Sequence, residues 1–216
     1  MDPRLSQAIG ALGTGGYTPG SSATAGDIYN PLPFPGCAHI PCHRPNTPER
    51  WAMISKSTDF AGRSILDLGC ATGYFSFKSI QANASGTYSI DHDPKAIAVC
   101  QAAQDVFNVK GTNFIVGTEL ATPYDRHFDI GFAMTVLNWA GRDRAERWLQ
   151  WASDHVSTLW IEMPIKGDGR SGAKWLHSHA DIVKWLKKVT TYSSVGKAGQ
   201  TQGPHSGQWR ALIKCQ

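Results

Sequence analysis

The stretch SILDLGCATGYFSF, Ser64 to Phe77, constrains the fold more than any other part of this chain. An apolar run ends on an acid, a tight loop bounded by Gly69 and Gly73 follows, and a helical pattern begins at Tyr74. Glycine at such a turn lets a ligand approach the backbone closely. The rest of the chain keeps the same rhythm. GTYSID precedes PKAIAVCQAAQDVF, the strand-like NFIVG and FDIGFAM precede RDRAERWLQWASDHV, and STLWIEM precedes SHADIVKWLKKV. Strands alternating with helices at this spacing predict an α/β, doubly wound fold: a mostly parallel sheet with helices on both faces. The last two strand-like runs, TYSSVGK and QWRALIK, have no helix between them and are expected to pair as a C-terminal antiparallel hairpin.

The 216 residues, 41% of them hydrophobic, provide for one such domain and leave little for a second. The first thirty residues contain AIGALGTGGYTPGSSATAG and read as a flexible arm. Six prolines between Pro31 and Pro48 then predict an irregular, extended segment that wraps the core or lids a cleft. Thr47, Pro48 and Glu49 form a good helix start, with a short helix through Trp51, Ile54 and Lys56. Five scattered cysteines do not form a disulfide framework. Cys37, His39, Cys42 and His43 are crowded into seven residues, unlike paired zinc knuckles, and read as lid, with no metal assigned. Without a signal-peptide layout or a membrane-length apolar run, the expected compartment is the cytoplasm and no membrane partner is expected.

The net charge of +4 is unevenly spread. Before Gly141 there are 9 Lys/Arg against 11 Asp/Glu, and from Gly141 onward 12 against 6. Arg142, Arg144, Arg147, Lys184, Lys187 and Lys188 recur at helix-surface spacing, which is the pattern of a solvated helix face. The same face can attract an acidic substrate or a phosphate backbone.

The glycine loop can be compared with the loops that hold nucleotides. A phosphate loop needs Gly-Lys-Ser/Thr, but Gly73 is followed by Tyr74 and Phe75. A dinucleotide fingerprint starting at Gly69 would need glycine at Ala71 and Tyr74. What remains is an uncharged nucleoside bearing a small carboxylate. Asp91, ending GTYSID 24 residues after Asp67, stands where a carboxylate can take both ribose hydroxyls. His92 can lie against an adenine face, and Thr118 and Glu119 stand where a side chain can meet the adenine amino group.

LDLGCATGYFSF, SIDHDPKAIAVC and FDIGFAMTVLNW together resemble motifs I, II and IV of the class I (Rossmann-like) S-adenosylmethionine-dependent methyltransferases, over roughly residues 48 to 140. The resemblance implies a seven-stranded sheet and places the methyltransferase domain over residues 48–216, after the Gly/Ser/Pro-rich arm and lid that composition assigns to 1–47. It also implies S-adenosylmethionine as cofactor and S-adenosylhomocysteine as product. Gly69, Cys70 and Gly73 would line the methionine part with Asp67 close by, Asp91 would hold ribose, His92 and Glu119 would lie near adenine, and Met134 would pack on the cofactor. Ala71 replaces the middle glycine of the common pattern, and Thr118 stands where an acid is frequent. RPNTPERW, read with GYFSF, is similar to methyltransferases of tRNA wobble-uridine modification and of polysaccharide chain termination. In such proteins an upstream arginine reaches the cofactor carboxylate, a role that falls to Arg50, or else to Arg44.

Methyl transfer from a sulfonium is an in-line displacement that needs alignment and, for a hydroxyl acceptor, loss of a proton. AMTVLNW lacks the Pro-Pro-Tyr/Phe run of enzymes acting on exocyclic amines, and the only Pro-Cys, Pro41-Cys42, is misplaced for a cytosine C5 nucleophile. The Asp of the ribose 2′-O set is missing as well. The reading is therefore O- or N-methylation of a small-molecule, sugar-linked or otherwise acidic acceptor. A tRNA-type RNA methyltransferase using the basic C-terminal surface, and a non-catalytic cofactor-binding scaffold, are the alternatives. Asn138 and Trp139, after the fourth strand, are the candidate acceptor contacts. Glu162 ending the fifth strand, with His177 and His179 before the next helix, are the candidate catalytic groups.

Overall fold

The computed structural model describes residues 1–12, 27–165, 178–203 and 208–216. Its centre is one seven-stranded sheet of order β3-β2-β1-β4-β5-β7-β6. The strands are β1 Ser64–Leu68, β2 Gly86–Asp91, β3 Thr112–Val116, β4 Phe128–Met134, β5 Val156–Pro164, β6 Val195–Gln202 and β7 Trp209–Cys215. The first five pair in parallel; β7 runs antiparallel between β5 and β6, forming the expected hairpin. The chain order reverses between β1 and β4, and ligands of open α/β sheets bind at the carboxyl ends of the strands at such a switch point.

Helices α1 Pro3–Leu12, α2 Thr47–Ser55, α3 Tyr74–Gln81, α4 Pro94–Val106, α5 Leu137–Ala140, α6 Arg142–His155 and α7 His179–Val189 surround the sheet. Alternate strand residues serve opposite faces. Leu66, Ala133, Leu159 and Ile161 pack with Trp148, Trp151 and Trp185 of α6 and α7. Ile65, Phe132 and Trp160 pack with Ile54 of α2 and with Tyr74 and Phe75 of α3.

The structure corrects two expectations. Residues 3–12 are not a flexible arm but a helix, because Leu5, Ile9 and Leu12 recur on one side and are buried against Ala96, Ile97, Val99 and Cys100 of α4. The sixth strand does not begin at Thr191. Tyr192 turns its hydroxyl onto Ala152 O and Val156 O, both at 2.9 Å, and pairing with β7 runs instead from Val195 through the polar Gln200–Gln202. As an edge strand, β6 needs ladder hydrogen bonds from one neighbour only, so it carries little apolar alternation. Residues 27–46 are irregular and lie on the core: Ile28 and Cys42 form a bridge, and Ile28, Leu32, Cys37 and Ile40 are buried. No described helix is long and apolar enough to cross a membrane.

Candidate functional site

The loop between β1 and α3 is held by its own backbone. Gly69 N and Cys70 N both donate to Ile90 O (2.8 and 2.9 Å), Gly73 N donates to Cys70 O (2.9 Å), and Ala71 N donates to Asp91 Oδ2 (2.8 Å). Gly69 (φ +70°) cannot be replaced cheaply, since a Cβ there would stand 2.8 Å from the Val136 side chain. Gly73 (φ +78°) would meet Phe77 at 2.9 Å and Cys100 Sγ at 3.1 Å. Four N–H groups of the loop are thus spent inside the protein. The loop presents a close-packed surface rather than a phosphate cradle, which suits an uncharged nucleoside and argues against a pyrophosphate.

Asp91, at the end of β2, accepts from Ala71 N and, through Oδ1, from Asp93 N (3.0 Å). Oδ2 keeps capacity for a further donor, as a contact to a ribose hydroxyl requires. His92 Nδ1 lies 3.3 Å from Asp91 Oδ1 with its ring largely exposed, and that hydrogen bond raises the imidazole above its ordinary value. Asp67 is buried beneath the loop. Burial pushes its carboxyl up to about 7, with Asp91 adding to the shift and the Ser76 hydroxyl opposing it. Burial, then the neighbouring Cys100, push the Cys70 thiol well above the usual range, which disfavours the thiolate there. Met134 is buried at the end of β4, in the cluster that holds Tyr74 and Phe75. Thr118 and Glu119 lie beyond β3, but Arg144 of α6 bonds the Glu119 carboxylate. The geometry therefore gathers Asp67, Gly69, Cys70, Gly73 and Asp91 tightly, with His92 and Met134 beside them, and ties Glu119 to α6.

The carboxyl ends of β4 and β5 are built differently. Glu162 is fully buried. Arg50 Nη1 donates to its Oε2 at 3.1 Å and Arg44 Nη2 at 3.4 Å, while Thr135 Oγ1 donates to Oε2 at 2.8 Å and the Thr201 hydroxyl to Oε1. Burial alone would raise its carboxyl, but Arg50, Arg44 and Arg210 overcome this and hold it at about 2. Burial draws Arg50 down to about 10, against the pull of Glu162, so both partners are charged at neutral pH. This corrects the expectation that Glu162 faces the cleft as a base: the carboxylate is too weakly basic and its oxygens are engaged. In this structure Arg50 and Arg44 serve Glu162, and Arg50 Nη2 also donates to Asn30 Oδ1 at 3.0 Å. His179, the first residue of α7, sets Nε2 3.1 Å from Gly199 O, and burial lowers its affinity for a proton. It packs on β6 rather than joining the cleft. His177 lies outside the described residues.

Asn138 and Trp139 sit in α5, directly after β4. Asn138 is buried; with its amide turned so that donor meets acceptor, its nitrogen donates to Thr135 O (3.0 Å) and its oxygen accepts from Trp139 Nε1 (3.1 Å). Trp139 is 55% exposed, unusual for a tryptophan whose N–H is already engaged. Sequence reasoning missed Thr135, which has a left-handed backbone (φ +64°) although it is β-branched. It also missed the pairing of Arg44 and Arg50 with Glu162. Cys37 is buried in the apolar cluster beneath residues 27–46, and no group of three or more His, Cys, Asp or Glu among the described residues is placed to hold a metal ion.

Residues 59–150 match a family model described as a methyltransferase domain. Among solved structures, the bifunctional kinase-methyltransferase WbdD superposes with a TM-score of 0.73 at 20% identity, covering 88% of this chain and 43% of that one. Magnesium protoporphyrin IX methyltransferase from Synechocystis PCC 6803, with bound SAH, superposes with a TM-score of 0.64 at 18% identity, covering 80% and 82%. Among curated proteins, the tRNA U34 carboxymethyltransferase of Stutzerimonas stutzeri (strain A1501) is 35% identical over 52 residues, 24% of this chain and 16% of that protein. The ribosomal protein L11 methyltransferase of Edwardsiella ictaluri (strain 93-146) is 31% identical over 80 residues, 37% and 26%. The chain thus spans between a sixth and about a quarter of the curated relatives it matches.

Proposed function

Because the chain carries a class I, Rossmann-like S-adenosylmethionine-dependent methyltransferase domain, we propose that it binds S-adenosylmethionine and transfers the methyl group to an oxygen or nitrogen acceptor. S-adenosylmethionine supplies an electrophilic methyl on a sulfonium. The protein's part is to hold and align. Asp91 offers its remaining acceptor capacity to a ribose, the glycine loop closes on the methionine part, Met134 supports the cleft from β4, and Thr118 borders the adenine end. The observation that carries this reading is the Ala71 N to Asp91 Oδ2 bond of 2.8 Å, which joins the glycine loop and the β2 carboxylate into one cradle. Calorimetry with S-adenosylhomocysteine on wild type and Asp91→Ala tests it. The expected result is binding in the wild type weakened at least tenfold, about 1.4 kcal/mol or more, in the variant. Equal affinities would overturn the assignment.

For the acceptor, the favoured class is a small-molecule, sugar-linked or otherwise acidic compound, taken between Trp139 and the α6 N-terminus, where Arg142, paired with Glu146, and Arg144, paired with Glu119, are exposed. A second reading, a tRNA acceptor, is supported by the exposed Arg147, Lys184, Lys187 and Lys188 on α6 and α7, which share one face of the sheet. Incubation of the chain and labelled S-adenosylmethionine with a metabolite pool and, separately, with total tRNA distinguishes them by where the label goes. Cofactor binding with no label transferred to either pool would favour a scaffold role.

A further inference from the structure

Thr135 is the most conspicuous backbone anomaly on the acceptor side of the cleft. A β-branched residue at φ +64° persists only where its surroundings over-determine it, and such residues gather at functional sites. Here the surroundings amount largely to one residue. Thr135 N donates to Glu162 O at 2.9 Å and Thr135 Oγ1 to Glu162 Oε2 at 2.8 Å. Glu162 is itself immobilised by Arg50, Arg44 and Thr201. With the Asn138 amide turned so that donor meets acceptor, the string continues outward from Thr135: its carbonyl accepts from the Asn138 nitrogen, and the Asn138 oxygen accepts from Trp139 Nε1. Buried charge at one end thus leads, through the buried Thr135 and Asn138, to Trp139, which is 55% exposed, at the other.

We propose that Glu162 is a positioning residue for the acceptor: through Thr135 and Asn138 it fixes the attitude of Trp139, the exposed wall against which the acceptor packs. What Trp139 receives rests on the methyl-transfer reading above; how it is held does not. The cofactor loop has separate anchors in Ile90 O and Asp91, although Val136 touches it at Gly69. Loosening the Thr135 turn therefore disturbs the acceptor wall before it disturbs cofactor binding.

The test uses the full chain labelled with 5-fluorotryptophan, with the fluorine NMR signal of residue 139 identified by its loss in Trp139→Phe. Wild type gives one narrow signal. Thr135→Val, which keeps the shape and removes the hydroxyl, broadens or splits it, and Thr135→Ser, which keeps the hydroxyl, restores the narrow line. Glu162→Gln behaves like Thr135→Val wherever a thermal melt shows that it folds. Calorimetric affinity of Thr135→Val for S-adenosylhomocysteine stays within about twofold of wild type. The proposal is overturned by an unchanged signal in Thr135→Val, by Thr135→Ser behaving like Thr135→Val, or by cofactor affinity falling in step with the broadening. If the wild type does not bind S-adenosylhomocysteine at all, the functional reading falls and the fluorine result stands by itself.

Discussion

On the assignment proposed above, the glycine-loop side takes the cofactor and the β4–β5 side the acceptor, and the two are held together by different means. On the cofactor side the decisive contacts are backbone bonds and one carboxylate: Ala71 N meets Asp91 across only 20 residues of chain. On the acceptor side they are side-chain charges joined across 118 and 112 residues, Arg44 and Arg50 to Glu162. A backbone-built cradle tolerates side-chain changes that keep its turns. A charge-built wall fails when its shared charge, Glu162, is removed, because both guanidiniums then stay buried without compensation. The cofactor side accordingly tunes one carboxyl, Asp67, upward by desolvation, and the acceptor side holds one, Glu162, downward by counter-charge.

The largest expected effect is on the acceptor side. Glu162→Ala leaves two buried guanidiniums facing each other and should lower stability by about 3–5 kcal/mol in urea unfolding. Its pH signature follows from sign: the native carboxyl sits near 2 against an ordinary 4.5, so its contribution is present above pH 4.5 and is lost as pH falls toward 2. Wild type should therefore weaken through that window more than Glu162→Ala does. A loss below about 1 kcal/mol, the range of an exposed pair, would show that the cluster is not the structural centre of this side.

Asp67 gives the opposite slope. Its native carboxyl keeps a proton to about pH 7 whereas the ordinary group releases it near 3.8, so the native state binds more protons between these values and stability declines as pH rises through them. Asp67→Asn removes that decline while its amide oxygen still accepts from Ser76. The variant should match wild type near pH 4 and exceed it at pH 8 by on the order of 2–4 kcal/mol. A difference that does not vary with pH would mean that desolvation does not govern this carboxyl.

The same division explains what could be read from the chain. Strands β1, β2 and β4 fall where the patterns SILDL, GTYSID and FDIGFAM place them, and the loop and Asp91 were legible because each lies within or beside one contiguous strand–turn–helix unit. Glu162 was recognised as a strand-end acid, but its role was not, since no local pattern tells that arginines in a proline-rich stretch fold onto it. Helix α1 did carry a signal, the spacing of Leu5, Ile9 and Leu12, which the glycine-rich composition around it obscured. Thr135 had no signal, because the Glu162 contacts that hold its left-handed backbone come from another strand, 27 residues away.

The finest test of the comparison sets two strained residues against each other. Ala71 (φ +51°) and Thr135 (φ +64°) adopt the same unfavourable region, one on each side of the cleft. Glycine relieves about 1–2 kcal/mol of strain at such a position and gives back about 0.5–1 kcal/mol through the unfolded chain. Ala71 anchors through its N–H, which glycine retains, so Ala71→Gly should be stabilising by roughly 0.5–1 kcal/mol in urea unfolding. Thr135 anchors through its hydroxyl on an ionised carboxylate, a bond that contributes about 1.5–3 kcal/mol, so Thr135→Gly should be destabilising by about 1 kcal/mol or more despite the relief. Shifts of the same sign at both positions would mean that strain alone decides the outcome, and that side-chain anchoring does not separate the acceptor wall from the cofactor cradle.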